Sequence, residues 1–279
     1  MAGNAKAIKN RIKSVESTKQ ITKAMELVAS SKLRHAKEHA EKTKPFFEAL
    51  KEAMDSIVKN NIDFSSPFCK PNLSLPTCHI VIAGDRGLAG GYNSNLFKSL
   101  ELKSGDVVLP VGKKAIDFFQ KKELEIITDI YNSVEDISIL DCHNMSREIC
   151  GSYKAGKFGR LCIEYTKFIN VLSQQPQCDE ILPLYYDIPK DGKSRELIIY
   201  EPSPEEAFEM IVPMYISGVI YGSTASSLAS EISARRNAMQ SANKNADEMI
   251  STLSLEYNRA RQASITQELT EIVAGADLH

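Results

Sequence analysis

The 279-residue chain carries 43% hydrophobic and 25% charged residues, which excludes a disordered or collagen-like polymer. Its formal net charge of −2 gives no global argument for nucleic-acid binding. The charge is uneven: residues 1–60 hold 13 Lys+Arg against 7 Asp+Glu, and residues 205–279 hold 5 against 10. The two ends therefore carry +6 and −5 and are expected to attract each other.

No run reaches the roughly 18 apolar residues of a membrane-spanning helix. The start, MAGNAKAIKNRIKS, lacks a signal-peptide core and reads as the opening of a long helix rather than a transit peptide. The six cysteines, at 69, 78, 142, 150, 162 and 178, form no C-x-x-C and read as reduced thiols, several of them buried apolar groups.

Residues 4–58 read as one helix. Apolar residues recur at Ile8, Ile12, Val15, Ile21, Met25, Val28 and Leu33, then at Ala36, Ala40, Phe47, Leu50, Met54 and Ile57, mostly three or four apart. At about 1.5 Å per residue such a helix spans roughly 80 Å, so it needs a partner along its length. Pro45 allows a kink or break.

Residues 59–76 contain Pro67, Pro71 and Pro76 and read as a linker. Short β-branched runs follow at 77–83, 106–112, 160–168 and 195–200. Helical segments lie between them at 92–103, 113–121 and about 133–156. This alternation predicts a Rossmann-like α/β domain over 77–202 with a largely parallel sheet.

Ser203-Pro204-Glu205-Glu206 reads as an N-cap with Pro in the first turn. It opens a second long helix over 203–279, with Pro213 able to break or bend its first turns. The expected architecture is thus an antiparallel pair of terminal helices (1–58 and 203–279) with the α/β domain inserted between them.

Motifs for chemistry are weak. The segment Gly84-Asp85-Arg86-Gly87-Leu88-Ala89-Gly90-Gly91-Tyr92-Asn93 follows a strand and opens a helix, where α/β folds often hold phosphate. It lacks the Gly-Lys-Ser/Thr of a P-loop, and its glycine gaps do not fit the dinucleotide pattern. A tight turn presenting Asp85 and Arg86 to protein is the simpler reading. His35 and His39 stand four apart but are set among lysines, which disfavours a cation site. No catalytic constellation, cofactor site or metal site is expected. Residues 1–45 offer basic side chains on several faces and no Phe, Tyr or Trp for stacking, so nucleic acid or an anionic membrane is a poor match. The stretch from Arg259 to Val273 is helical yet crowded with short polar groups, as suits a helix end turning inside other subunits.

Three segments carry a resemblance to a known family: ITKAMELVAS (21–30) with Lys32, GDRGLAGGYNSN (84–95), and YNRARQASITQELTEIV (257–273). Together they resemble the gamma subunits of bacterial F-type ATP synthases along essentially the whole chain. The middle match is looser, with Ala89 where many relatives have Cys and Gly84 where many have Ser. The resemblance implies a left-handed antiparallel coiled coil that penetrates a ring of three alpha and three beta subunits. It also implies a foot that joins epsilon and the membrane ring of c subunits. The implied function is a central-stalk rotor that couples ion flow to ATP synthesis, with the catalytic sites on beta and none here. The implied place is the cytoplasmic face of the bacterial membrane, reached only through the c-ring. By motif match, Arg261 and Gln262 contact alpha/beta loops, with Thr266 and Glu268 nearby. Met25 faces a charged loop of beta, and Lys23 lies beside it. An unrelated coiled-coil scaffold and a nucleotide-binding enzyme are the competing classes.

Overall fold

A computed structural model describes residues 2–60, 65–72, 74–186 and 200–276. Two elements dominate: α1 (Ala2–Asn60, 59 residues) and α5 (Pro204–Ala276, 73 residues). Neither proline breaks its helix. Pro45 and Pro213 lie inside uninterrupted elements, because a proline removes one donor while the adjoining turns keep theirs. At the start of α5, Ser203 Oγ accepts the Glu206 amide at 3.1 Å, as the sequence suggests.

The chain divides into two compact units. One comprises residues 1–31 and 235–279, the other residues 32–234. Both long helices contribute to each.

The larger unit is built on a five-stranded sheet in the order β3-β2-β1-β4-β5. Its strands are β1 (Thr77–Ile82), β2 (Val107–Val111), β3 (Glu125–Ile126), β4 (Arg160–Phe168) and β5 (Gln174–Leu182). The first four run parallel, and β5 returns antiparallel to β4. Three helices connect them: α2 (Tyr92–Ser99), α3 (Lys113–Phe119) and α4 (Ile139–Lys154).

Alternation along the strands sends the side chains to two apolar layers. Cys78, Ile80 and Ile82 of β1 join Ile163 of β4, Met145 and Ile149 of α4, Met54 of α1 and Phe208 of α5 in the larger core. Val81 of β1 and Val108 of β2 face Leu96 of α2 and Phe119 of α3. Four of the six cysteines (78, 142, 150 and 162) are buried, and all six are free thiols.

Helix α4 is shorter than the expected 133–156. Ser138 and Asp141 form a capping box that fixes its first turn. The Ser138 hydroxyl and amide hold the Asp141 carboxyl below its usual range. β5 has no apolar run to announce it. Its sequence, QQPQCDEIL, includes Pro176, which an edge strand tolerates because one side of its backbone needs no ladder partner. The expected strand at 195–200 lies outside the described residues, apart from Tyr200, which is not in a strand.

Candidate functional site

The smaller unit is an antiparallel helix pair. Thr22 meets Asn243, Lys19 meets Asp247, and Ala7, Ile8 and Arg11 line one depression with Leu253, Glu256, Arg259 and Ala260. The ion pair of Lys19 with Asp247 joins the basic end of the chain to the acidic end. On α1 the half-buried and buried seam runs Ala5, Ile8, Ile12, Val15, Lys19, Thr22, Glu26 and Ala29. On α5 it runs Met239, Asn243, Ala246, Ile250, Leu253, Tyr257, Ala260 and Ser264. Both series alternate steps of three and four, the 3.5-residue period that winds helices into a left-handed coiled coil.

This seam corrects the apolar stripe expected from sequence. Ile21 and Val28 are 62% and 57% exposed, while Thr22 and Glu26 take the inward positions between them and Lys19 the one before. Met25 is half-buried at the edge of the seam. Lys23 is exposed, with its Nζ 3.0 Å from Glu26 Oε2. Glu26 is held below the usual carboxylate range, chiefly by the Lys23 hydrogen bond and charge, with Asn243 adding a further bond.

Arg261, Gln262, Thr266 and Glu268 are all exposed on the last turns of α5. The structure does not bring them to Lys23 and Met25. Asn243, opposite Thr22, lies 18 residues before Arg261, or roughly 27 Å of helix. Their local contacts are modest. Glu268 accepts from Ser264 Oγ at 3.5 Å, and the Thr266 carbonyl accepts from Thr270 Oγ1 at 2.8 Å.

Leu269 and Ile272 close the apolar series that the sequence places along the second helix, and the structure leaves both exposed. From Ile265 to Val273 every residue whose burial is described is exposed. Ile265, Leu269, Ile272 and Val273 are 47%, 58%, 68% and 59% exposed, at spacings that place them on one helical face. A contiguous apolar face of this kind marks a surface that a partner covers. The signal was present in the spacing of those four residues.

The glycine-rich segment does different work. It sits at the end of β1, between the neighbours β2 and β4, where the strand order changes direction. Open α/β sheets often bind ligands at such a point. Here α5 fills it. Tyr92 Oη contacts Ser227 Oγ at 2.6 Å, and a Cβ on Gly84 would stand 2.7 Å from the Glu231 carboxyl carbon. A carboxylate at this spot repels phosphate.

Asp85 is used within the fold. Its two oxygens accept the Val134 amide at 3.0 and 2.9 Å, and Oδ1 accepts the Lys113 amide at 3.4 Å. Gly112, at φ +91°, leaves β2 so close to Ala83 that a side chain would meet its carbonyl oxygen at 2.1 Å. The side chains of His35 and His39 lie outside the described residues. Among the described residues there is no helix long and apolar enough to cross a membrane, and no group of His, Cys, Asp and Glu arranged to hold a metal ion.

The chain carrying this helix pair and α/β unit is matched by the family described as ATP synthase over residues 4–277. The chain belongs to the ATP synthase gamma-chain family. The ATP synthase gamma chain of Ruminococcus albus is 46% identical over 277 residues, covering 96% of each chain. The gamma chain of Acetobacterium woodii, described as sodium ion specific, is 41% identical and covers 99% of each. Among solved structures, a chain of the Euglena gracilis mitochondrial ATP synthase rotor matches with a TM-score of 0.66 at 19% identity, covering 95% of this chain and all of that one. That likeness bears out the expected fold of long terminal helices around an inserted α/β domain.

Proposed function

We propose that this chain is the central-stalk rotor of an F-type ATP synthase. It transmits torque between a membrane ring of c subunits and a ring of three alpha and three beta subunits. Ion flow through the membrane sector turns the c-ring, and the shaft turns with it. The shaft then drives the beta sites in turn through binding, synthesis and release of ATP. Catalysis resides on beta; this chain supplies asymmetry and stiffness and needs no cofactor of its own. It works at the cytoplasmic face of the bacterial membrane, together with epsilon, and touches the membrane only through the c-ring.

The observation that carries this reading is the tip of α5. Its apolar face of Ile265, Leu269, Ile272 and Val273 is exposed, and short polar groups surround it. A sleeve of other subunits would cover the apolar face, while Arg261, Gln262, Thr266 and Glu268 form hydrogen bonds that can be exchanged as the tip turns. Lys23 and Met25 form a second, separate level of contact with charged loops of beta.

Reconstitution tests the proposal. Purified alpha and beta subunits are mixed with and without this chain, and assembly and ATP hydrolysis are measured. The reading requires a stable complex of three alpha, three beta and one copy of this chain, with strongly stimulated hydrolysis. A folded chain that forms no complex and gives no stimulation contradicts it.

A further inference from the structure

The helix pair has an unusual middle. Below it the seam is apolar: Ile8, Ile12 and Val15 on α1, Ile250 and Leu253 on α5, with Ile8 and Leu253 lining one depression. Above it lie Ala29 and Met239, both buried. Between these layers α1 presents Lys19, Thr22 and Glu26, and α5 presents Asn243 next to the small Ala246. Asn243 is 8% exposed. Its Oδ1 accepts from Thr22 Oγ1 at 2.5 Å, and its Nδ2 donates to Glu26 Oε2 at 2.9 Å. Both ends of the amide are thus used by the opposite helix, and one turn away Lys19 pairs with Asp247.

Apolar seams are permissive, because one layer of aliphatic side chains packs against the next nearly as well as against its own partner. A buried amide is not. Moving the helices by one turn, about 5.4 Å, would take it away from Thr22, from Glu26 or from both, and break at least one of its two buried bonds. A single buried Asn is known to fix register in coiled coils at a cost in stability. Here the same amide also holds Glu26, which in turn holds Lys23.

We propose that Asn243, with Thr22 and Glu26, is a register clamp of the helix pair and the positioning residue for Lys23. The clamp resists axial and twisting slip at the level where Lys23 and Met25 meet the beta subunits. This last clause rests on the rotor reading; the clamp itself does not.

The test separates the two. Spin labels are introduced as unnatural amino acids at Lys9 and Ser241, both exposed and roughly 20 Å apart along the axis of the pair, so that an axial slip changes their separation, and distances are measured by pulsed electron resonance in the full isolated chain. The wild type should give one narrow distance. Asn243→Leu should retain the helical content and melt at the same temperature or higher. It should also broaden the distance distribution or add a second one displaced by about 5 Å, populated at about a tenth or more. The exchanged pair Thr22→Asn with Asn243→Thr should restore the single distance.

In the reconstituted, membrane-embedded complex, Asn243→Leu should lower the ratio of ion pumping to ATP hydrolysis while hydrolysis persists. A single unchanged distance in Asn243→Leu overturns the clamp. A broadened distance with an unchanged pumping ratio overturns only its role in coupling. A lower melting temperature with one unchanged distance assigns Asn243 a purely structural role and also overturns the clamp.

Discussion

His79 Nδ1 on β1 lies 2.5 Å from Glu164 Oε1 on β4, and its Nε2 lies 3.3 Å from Asp106 Oδ2, just before β2. All three residues are buried. With a carboxylate at each ring nitrogen, the imidazole is best satisfied when both nitrogens carry protons. Asp106 also accepts the amides of Thr77 and Lys103, and Glu164 accepts the Cys178 thiol at 3.6 Å. The cluster therefore ties β1 to both of its neighbours and to the edge strand.

The pH dependence follows from the sign of the shift at His79. Burial by itself pushes the imidazolium down, but the hydrogen bonds and charges of Glu164 and Asp106 outweigh it and raise the pKa. A raised folded value favours the folded state fully below the unfolded value of about 6.5. The contribution is lost as pH rises through the folded value. Thermal unfolding of the wild type and of His79→Gln, compared from slightly acidic to alkaline pH, should show a gap in favour of the wild type that narrows as pH rises. A gap that is constant or widens would mean that His79 is neutral in the fold.

Gly84 is required by what lies above it. Gly84→Val forces the Glu231 carboxyl group away from the end of β1, and should destabilise the larger unit by about 1–3 kcal/mol in urea unfolding. Adding Glu231→Ala should recover part of that loss, since the clash is with that side chain. Equal losses in the presence and absence of Glu231 would place the strain elsewhere.

Much of the fold is legible in the sequence. The period of α1, the Ser203 cap and the β-branched runs at 77–83, 106–112 and 160–168 all fall where the elements form. The middle of the coiled coil departs from the apolar stripe for a physical reason. Hydrophobicity marks Ile21, Met25 and Val28 as the buried stripe, yet the strict 3.5-residue period puts Thr22 and Glu26 inward and leaves Ile21 and Val28 outside. An apolar residue left on the surface looks the same in sequence as one turned into the seam. Likewise, nothing local to Asn243 announces that its partners are Thr22 and Glu26, more than two hundred residues away. The edge strand β5 was invisible because it pairs through its backbone while its side chains remain polar.

Two leucines separate internal packing from assembly. Leu253 is 6% exposed in the seam, and Leu253→Ala should cost about 2–5 kcal/mol of stability in the isolated chain. Leu269 is exposed at the tip, so Leu269→Ala should change that stability by no more than about 0.5 kcal/mol. In the assembled complex the order should reverse in relative importance, with Leu269→Ala weakening capture by the alpha/beta ring by about 1–2 kcal/mol. Chemical denaturation and competition binding measure the two quantities. A tip substitution that destabilises the free chain would contradict the exposed placement.

Arg261→Ala and Gln262→Ala are expected to leave folding and nucleotide binding by the ring unchanged and to lower coupled ATP synthesis. Each side chain is exposed in the free chain. Their effect should appear as a reduced synthesis rate at a fixed ion gradient, measured in reconstituted vesicles. Unchanged synthesis with both replaced would remove them from the coupling path.

The central claim is that the chain turns inside a ring of other subunits. The most direct measurement fixes a reconstituted complex of alpha, beta and this chain to glass through beta. A gold rod is attached to a tag at the exposed Ser104–Gly105 turn, and the rod is watched as ATP is added. The rotor account predicts sustained rotation in one direction, dependent on ATP and stopped by its removal. A rod that stays fixed, or jitters without direction, on complexes that are hydrolysing ATP would contradict it.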